Sequence, residues 1–107
     1  MKSPKLTTLK LHRMQMEHMR DILLDVAENA PKGANFEALL GANAAELAQR
    51  INVKLAEMGK EFKLAVSPSE ALTLHLCGTL YMAQRNISRP EVMEINFVIN
   101  PLHQLLQ

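Results

Sequence analysis

The chain has 107 residues, 48% of them hydrophobic, and its 12 lysine and arginine residues nearly balance 11 acidic residues, which leaves a formal net charge of +1. This length suits one domain with one hydrophobic core, so we predict a single helical domain over residues 1–107. The near-neutral charge excludes a global attraction to nucleic acid or to an acidic membrane surface, and any such signal must be local.

The N-terminal residues and the cysteine usage bear on the cellular compartment. Basic residues interrupt positions 1–13, so the continuous apolar stretch of a secretory signal is not expected there. The nearly uncharged run 64–84 contains serines, a proline, a glutamate and a histidine, and we expect no membrane span. Cys77 is the single cysteine, which excludes an internal disulfide and indicates a cytoplasmic protein.

A first helix is predicted over residues 8–28. Its seam positions repeat at alternating steps of three and four, which is typical of packed helices. These positions are Leu9, His12, Met16, Met19, Leu23 and Val26. Residues 1–6 are predicted to form a flexible basic arm before it.

A second helix is predicted over residues 43–60. Pro31 and Gly33 mark a break after the first helix, and residues 36–40 fit a single helical turn. Asn43 can cap the second helix, and Gly59 should weaken its end. For residues 62–66 we favour a short extended segment over a frayed helical turn.

The third helix, over residues 68–86, has the clearest start signal. Ser67 can cap it, Pro68 suits the first helical position, and Glu70 has the spacing of a capping box. Residues 71–83 contain no Asp, Glu, Lys or Arg. We therefore expect this apolar helix to be central and covered on every side, either by other helices or by a partner chain.

A fourth helix is predicted over residues 90–106. Its apolar line comprises Val92, Ile95, Ile99, Leu102 and Leu106. Pro101 lies within this line and would kink a helix, so Asn100 is an alternative cap for a separate last turn. A second alternative makes 95–99 a strand paired with 62–66. The favoured fold is an all-α bundle of about four helices.

Catalytic motifs are missing from the sequence. It has no G-x-S-x-G, H-E-x-x-H or C-x-x-C motif, and its four scattered glycines cannot form a phosphate loop. His75 and Cys77 lie two residues apart, which places them on different faces of a helix. We expect a helical protein-interaction module in an assembly, adaptor or regulatory role, which is not an enzyme and has no cofactor and no metal site.

Charge order along the first helix favours self-association. Acidic residues follow one flank toward its C-terminal end and basic residues lie at its N-terminal end, both against the helix dipole. Antiparallel pairing with a second copy would bring the opposite charges together, so we expect a homo-oligomer, with a dimer favoured. The predicted interface residues are Leu9, His12, Arg13, Met16, Glu17, Met19, Asp21 and Leu23.

The alternative function is nucleic-acid binding by a regulator. Residues 44–63 loosely resemble a helix-turn-helix unit, although the expected Ser or Thr cap before a recognition helix is absent. Glu57 and Glu61 oppose this interpretation, because they would repel phosphates. The basic residues that would contact phosphates are Lys2, Lys5, Lys10, Arg13, Lys54, Lys60 and Lys63.

Overall fold

The computed structural model describes residues 6–30, 33 and 35–105, and within them the chain forms four helices and one two-stranded antiparallel sheet. The elements in chain order are β1 (Thr7–His12), α1 (Arg13–Asn29), α2 (Phe36–Leu55), β2 (Glu61–Val66), α3 (Pro68–Gln84) and α4 (Arg89–Leu105). The predicted fold class, a small helical bundle with short extended segments, is confirmed. Of the predicted basic arm, residues 1–5, with Lys2 and Lys5, lie outside the described residues.

The first helix begins five residues later than predicted, because residues 7–12 form β1. Leu9 and Leu11 alternate with polar residues, and both point into the core opposite Leu64 and Phe62 of β2. This period of two overrides the helical spacing that runs through the same residues. The helical prediction for residues 8–12 was therefore wrong.

The single turn predicted at 36–40 and the helix predicted at 43–60 are parts of one helix, α2. Asn35 is its cap, since its Oδ1 accepts the N–H of Ala38 at 2.8 Å. Asn43 is consequently an interior residue and caps nothing. The helix ends at Leu55, and Gly59 then adopts φ +151°, a conformation that favours glycine.

The extended segment predicted at 62–66 is confirmed as part of β2, and its partner is β1. Residues 95–99 are helical, so the alternative strand there was wrong. α4 also continues through Pro101, and the separate last turn capped by Asn100 is not formed. Burial on both sides of the proline holds this helix, since Ile99 and Leu102 are buried.

α3 begins as predicted. The hydroxyl of Ser67 accepts the N–H of Glu70 at 3.2 Å, and the Glu70 carboxylate accepts the N–H of Ser67 at 3.0 Å. Leu74 and Cys77 are buried, whereas Leu72 remains exposed. The helix is central, but within one copy of the chain the face that carries Leu72 is not covered, so cover on every side remains a prediction that requires a partner chain.

The helices pack closely at two glycines. At Gly41 of α2 an added Cβ would overlap the Cβ of Ala30 at the end of α1, and at Gly78 of α3 it would lie 3.0 Å from Ile99 of α4. These small residues allow α1 to approach α2 and α4 to approach α3. Within the described part of the chain, no helix is both long and apolar enough to cross a bilayer.

Candidate functional site

An apolar groove lies between α2 and α3. Phe36 of α2 and Leu76 and Leu80 of α3 line one open cavity of about 360 Å³, which the C-terminal end of α1 borders on a third side. Leu39 and Leu72 extend this surface, because they lie three and four residues from lining residues of their own helices. We call this surface the α2–α3 groove, and its apolar residues are Phe36, Leu39, Leu40, Leu72, Leu76 and Leu80.

Three of the groove side chains are open to solvent. Phe36 is 65% exposed, Leu39 58% and Leu72 44%. Single exposed apolar residues are common on protein surfaces, but a contiguous group beside a cavity is typical of an interaction site.

The rim of the α2–α3 groove is acidic. Glu37 lines the cavity, and Glu46 lines the neighbouring depression between the same two helices. Neither residue belongs to a described ion pair. By contrast, Glu70 is paired with Arg50 at the far end of the groove. The net negative rim favours a partner surface that carries positive charge.

The Glu70 carboxyl joins α3 to α2 and to β2. Burial would raise its pKa, but the Ser67 N–H and the Arg50 guanidinium together outweigh burial and hold the pKa below its usual value. Arg50 also donates to the carbonyl of Ala65 at 2.7 Å. These contacts fix the end of the groove.

A second exposed apolar surface lies on α4. Met93 is 68% exposed and Phe97 72%, and Arg89 stands one turn before them at the same four-residue spacing. The opposite face of α4, with Ile95 and Ile99, is buried. We call Arg89, Met93 and Phe97 the α4 stripe.

Acidic residues surround an open cleft of about 540 Å³ between α1 and α4. Glu17 and Asp21 come from α1, and Glu91 and Glu94 from α4. The Nε2 of His18 lies 3.0 Å from a Glu91 oxygen, which ties the two helices together. No group of three or more His, Cys, Asp or Glu side chains in the described ranges is arranged to hold a metal ion.

Two potentially nucleophilic side chains of α3, Cys77 and Tyr81, are held in their neutral forms. Burial raises the pKa of the Cys77 thiol to about 12, so almost no thiolate exists at neutral pH. Burial and the nearby carboxylates of Glu91 and Asp25 raise the pKa of Tyr81. Neither group is activated for attack on a substrate.

The predicted self-association interface divides into buried and accessible residues. Its apolar members lie inside the core of the protomer, namely Leu9, Met16, Met19 and Leu23. His12 is the cap of α1, where its Nδ1 accepts the N–H of Gln15 at 3.3 Å. Glu17 and Asp21 remain accessible at the α1–α4 cleft. The structure therefore does not present the predicted set as one apolar surface.

Arg13, which belongs to both predicted sets, binds the chain that follows α2. Its guanidinium donates to the carbonyls of Leu55 at 3.1 Å, Glu57 at 2.6 Å and Gly59 at 2.9 Å. The same group lies over the ring of Phe62, 5.0 Å from its centroid. These contacts terminate α2 and orient the turn into β2, which is a structural role.

The basic residues of the alternative function are arranged differently from the predicted helix-turn-helix unit. Residues 44–55 lie in one uninterrupted helix and 61–66 in a strand, so that unit is not formed. In the sheet, however, Lys10 lies directly opposite Lys63. Both side chains are exposed, and no described ion pair involves either of them. Lys54 lies in the last turn of α2, and Lys60 directly precedes β2.

Sequence reasoning missed the groove and the α4 stripe. Residues 36–40 were assigned to an isolated turn, which hid the alignment of Phe36 and Leu39 with the rest of α2. The apolar line chosen for α4 selected its buried face and passed over Met93 and Phe97. Their four-residue spacing on the polar side of the helix was the available signal.

Comparison of the chain with protein-family models, with curated proteins and with solved structures finds no match. No family therefore assigns a role to these surfaces, and their own chemistry must distinguish the candidate functions.

Proposed function

We propose that this chain is a non-enzymatic protein-interaction module that forms a dimer, in which the α4 stripe of each copy packs into the α2–α3 groove of the other. The observation that carries the proposal is the presence of both an exposed apolar groove and an exposed apolar helix stripe on one small protein. A helix that places side chains at four-residue spacing into an apolar groove is a common recognition mode.

Charge supports a second copy as the occupant of the groove. The rim contributes Glu37 and Glu46, and the stripe begins with Arg89. A dimer in which the two α2–α3 grooves meet would instead bring Glu37 and Glu46 of one copy toward the same two residues of the other copy. Stripe-to-groove contact avoids that repulsion and places a guanidinium near the acidic rim.

The expected free energy of association favours a dimer with two stripe-to-groove contacts over a dimer with one. Fully burying a Leu, Phe or Met side chain contributes about 1.5–3 kcal/mol, and the five exposed side chains of one contact are already partly covered. One contact therefore supplies roughly 5–9 kcal/mol, which lies within the range of about 4–15 kcal/mol that association costs. A closed two-fold pair doubles the contact within a single association event.

Association is tested first by size-exclusion chromatography with light scattering. We expect a dimer for the wild type and monomers for Leu72→Gln and for Phe97→Gln. The matched control is Val53→Gln, which removes an exposed apolar side chain of α2 outside both surfaces and should remain dimeric. A wild type that stays monomeric at high concentration would contradict the proposal.

Cross-linking tests which surfaces meet. Cys77 is buried and unreactive, so cysteines introduced on the surface report alone. We mix Glu37→Cys with Arg89→Cys under mild oxidation, which leaves the apolar side chains of both surfaces in place, and expect a mixed disulfide dimer. Each variant alone, or either mixed with Val53→Cys, should give much less product. Equal yields from all pairs, or a dominant Glu37→Cys homodimer, would refute the stripe-to-groove arrangement.

A further inference from the structure

In the described part of the chain the sheet has two strands, so one edge of β1 has no partner strand. Arg13, directly after β1, donates its N–H to the Lys60 carbonyl at 2.8 Å, and this pair continues the register of the strands. Because backbone groups alternate along an antiparallel pair, those of Leu9 point toward β2 and those of Thr8 and Lys10 point to the open edge. None of the described residues forms a hydrogen bond with these edge groups of Thr8 and Lys10.

Neighbouring edge groups of the sheet are, by contrast, closed by side chains. On the edge of β2, the carbonyl of Ala65 accepts from the Arg50 guanidinium at 2.7 Å. At the end of β1, the N–H of His12 donates to the Gln15 side-chain oxygen at 3.0 Å. The part of β1 before His12 has no such closure among the described residues.

An open cavity of about 440 Å³ lies along this edge, between β1 and α4. Its described lining comes from β1 and α4 and not from β2, so the cavity lies on the side of β1 that faces away from β2. Leu9 of β1 and Phe97 and Pro101 of α4 give it an apolar wall. We call this site the β1 edge cleft, and its residues are Thr8, Leu9, Lys10, Phe97, Val98 and Pro101.

We infer that the β1 edge cleft binds an extended peptide segment of a partner protein, which adds to β1 as a third antiparallel strand. The edge presents an N–H donor and a C=O acceptor on the same residue. A peptide backbone satisfies both groups, whereas the phosphates of a nucleic acid or a lipid are acceptors and leave the carbonyls unpaired. This site uses neither the α2–α3 groove nor a second copy, so it is independent of the proposed dimer.

The two faces of the sheet define the peptide sequence. The peptide residue directly opposite Lys10 exchanges both hydrogen bonds with it and places its side chain on the same outward face. On that face Lys10 and Lys63 outnumber Glu61, which lies diagonal to Lys10, so an acidic residue is favoured there. Its two sequence neighbours point toward the cavity, which fits apolar side chains. The expected pattern is an acidic residue between two apolar residues.

Charge disfavours the β1 strand of a second copy as the occupant. Pairing two β1 strands at this edge would bring Lys10 and Lys63 of both copies onto one four-stranded face, where only Glu61 of each copy would oppose them. Lysines on open edges are a common means of preventing such pairing between copies. An acidic peptide meets the same lysines with the opposite charge.

The first test measures the fluorescence anisotropy of a labelled peptide, Gly-Thr-Val-Glu-Val-Thr-Gly, titrated with the full chain. N-methylation of the glutamate removes the amide that bonds to the Lys10 carbonyl and should weaken binding by about tenfold or more. N-methylation of the valine that follows the glutamate is the matched control. Its amide points away from β1, so the affinity should equal that of the unmodified peptide.

The second test changes the edge of the chain itself. Thr8→Pro removes an edge N–H and should abolish peptide binding, whereas Thr8→Val loses the hydroxyl, retains the N–H and should bind as the wild type does. Lys10→Glu should weaken binding about fivefold, and a peptide with lysine in place of the glutamate should recover this loss. Far-UV circular dichroism confirms that each variant retains the helical fold.

Phe97 belongs to both the β1 edge cleft and the α4 stripe, so the titration is repeated with Leu72→Gln. This variant alters the α2–α3 groove and leaves α4 intact, and its peptide affinity should equal or exceed that of the wild type, whether or not the wild type forms a dimer. No binding at millimolar peptide, or equal losses from methylation of the glutamate and of the valine, would overturn the inference. A dimer that Thr8→Pro, and not Leu72→Gln, converts to monomers would also overturn it, because a second copy would then occupy the edge.

Discussion

Arg13 gives the sharpest test of how sequence and structure relate in this protein. It stood in both predicted functional sets, yet its guanidinium is fully engaged with the carbonyls after α2 and with the ring of Phe62. We therefore expect Arg13→Met, which retains most of the aliphatic stem, to lower the free energy of unfolding substantially.

The magnitude follows from the exposure of each contact. The bond to the Leu55 carbonyl is partly buried and should contribute about 1.5 kcal/mol, at the low end for a charged donor. The bonds to Glu57 and Gly59 are exposed, so roughly 0.5 kcal/mol each is reasonable. The contact with Phe62 adds about 0.5 kcal/mol at an exposed site. The expected decrease in stability is about 3 kcal/mol, or a fall in Tm of more than about 10 °C.

The assay is urea unfolding followed by far-UV circular dichroism, since the chain has no tryptophan and a single tyrosine. Arg20→Met is the control, because the Arg20 guanidinium bonds two exposed side chains, those of Asp21 and Asn52. Its decrease in stability should stay below about 1 kcal/mol. If Arg13→Met is no more destabilised than this control, the proposed structural role of Arg13 is wrong.

Two further predictions concern the start of α3 and the close contact between α1 and α2. The lowered pKa of Glu70 means that its ionised form stabilises the fold above its usual pKa of 4.5, and that this stability is lost as the pH falls through the lower folded-state pKa. Glu70→Gln should thus be less stable than the wild type near neutral pH, by at most about 1 kcal/mol, and the difference should vanish in acid. Urea unfolding measures this difference, and a constant value from neutral pH to pH 3 would contradict the prediction. Gly41→Ala should lower stability, because overpacking against Ala30 costs about 1–3 kcal/mol and exceeds the gain in helix propensity of about 1 kcal/mol. The double variant Gly41→Ala with Ala30→Gly should recover the lost stability, as measured by thermal unfolding. A Gly41→Ala variant as stable as the wild type would contradict the close packing of α1 against α2.

Local signals explain what the sequence could predict. The start of α3 depends on four consecutive residues, Ser67 to Glu70, whose side chains satisfy nearby backbone groups without help from the rest of the chain. Such a feature can be predicted because neighbours in sequence decide it. The predicted end of the second helix, at residue 60, was five residues too late, because the contacts of Arg13 with the carbonyls of Leu55, Glu57 and Gly59 are not visible in the local sequence.

Non-local contacts decided the elements that were mispredicted. Leu9 fits a helical seam with Met16 and also alternates with Leu11 as in a strand, and the two patterns are equally good within this segment. Pairing with β2, some fifty residues later, selects the strand. The groove was missed for the same reason, since it exists only where α2 and α3 meet.

The proposed dimer surfaces occur where the fold breaks a rule that the rest of the chain follows. Buried apolar residues fill the inner faces of the helices, whereas Met93 and Phe97 on α4 and Leu72 on α3 remain exposed. Phe97→Gln would remove one of these exposed apolar side chains without disturbing the core. Because an apolar side chain in solvent contributes nothing to the core of one protomer, a partner surface gives the physical reason for its presence.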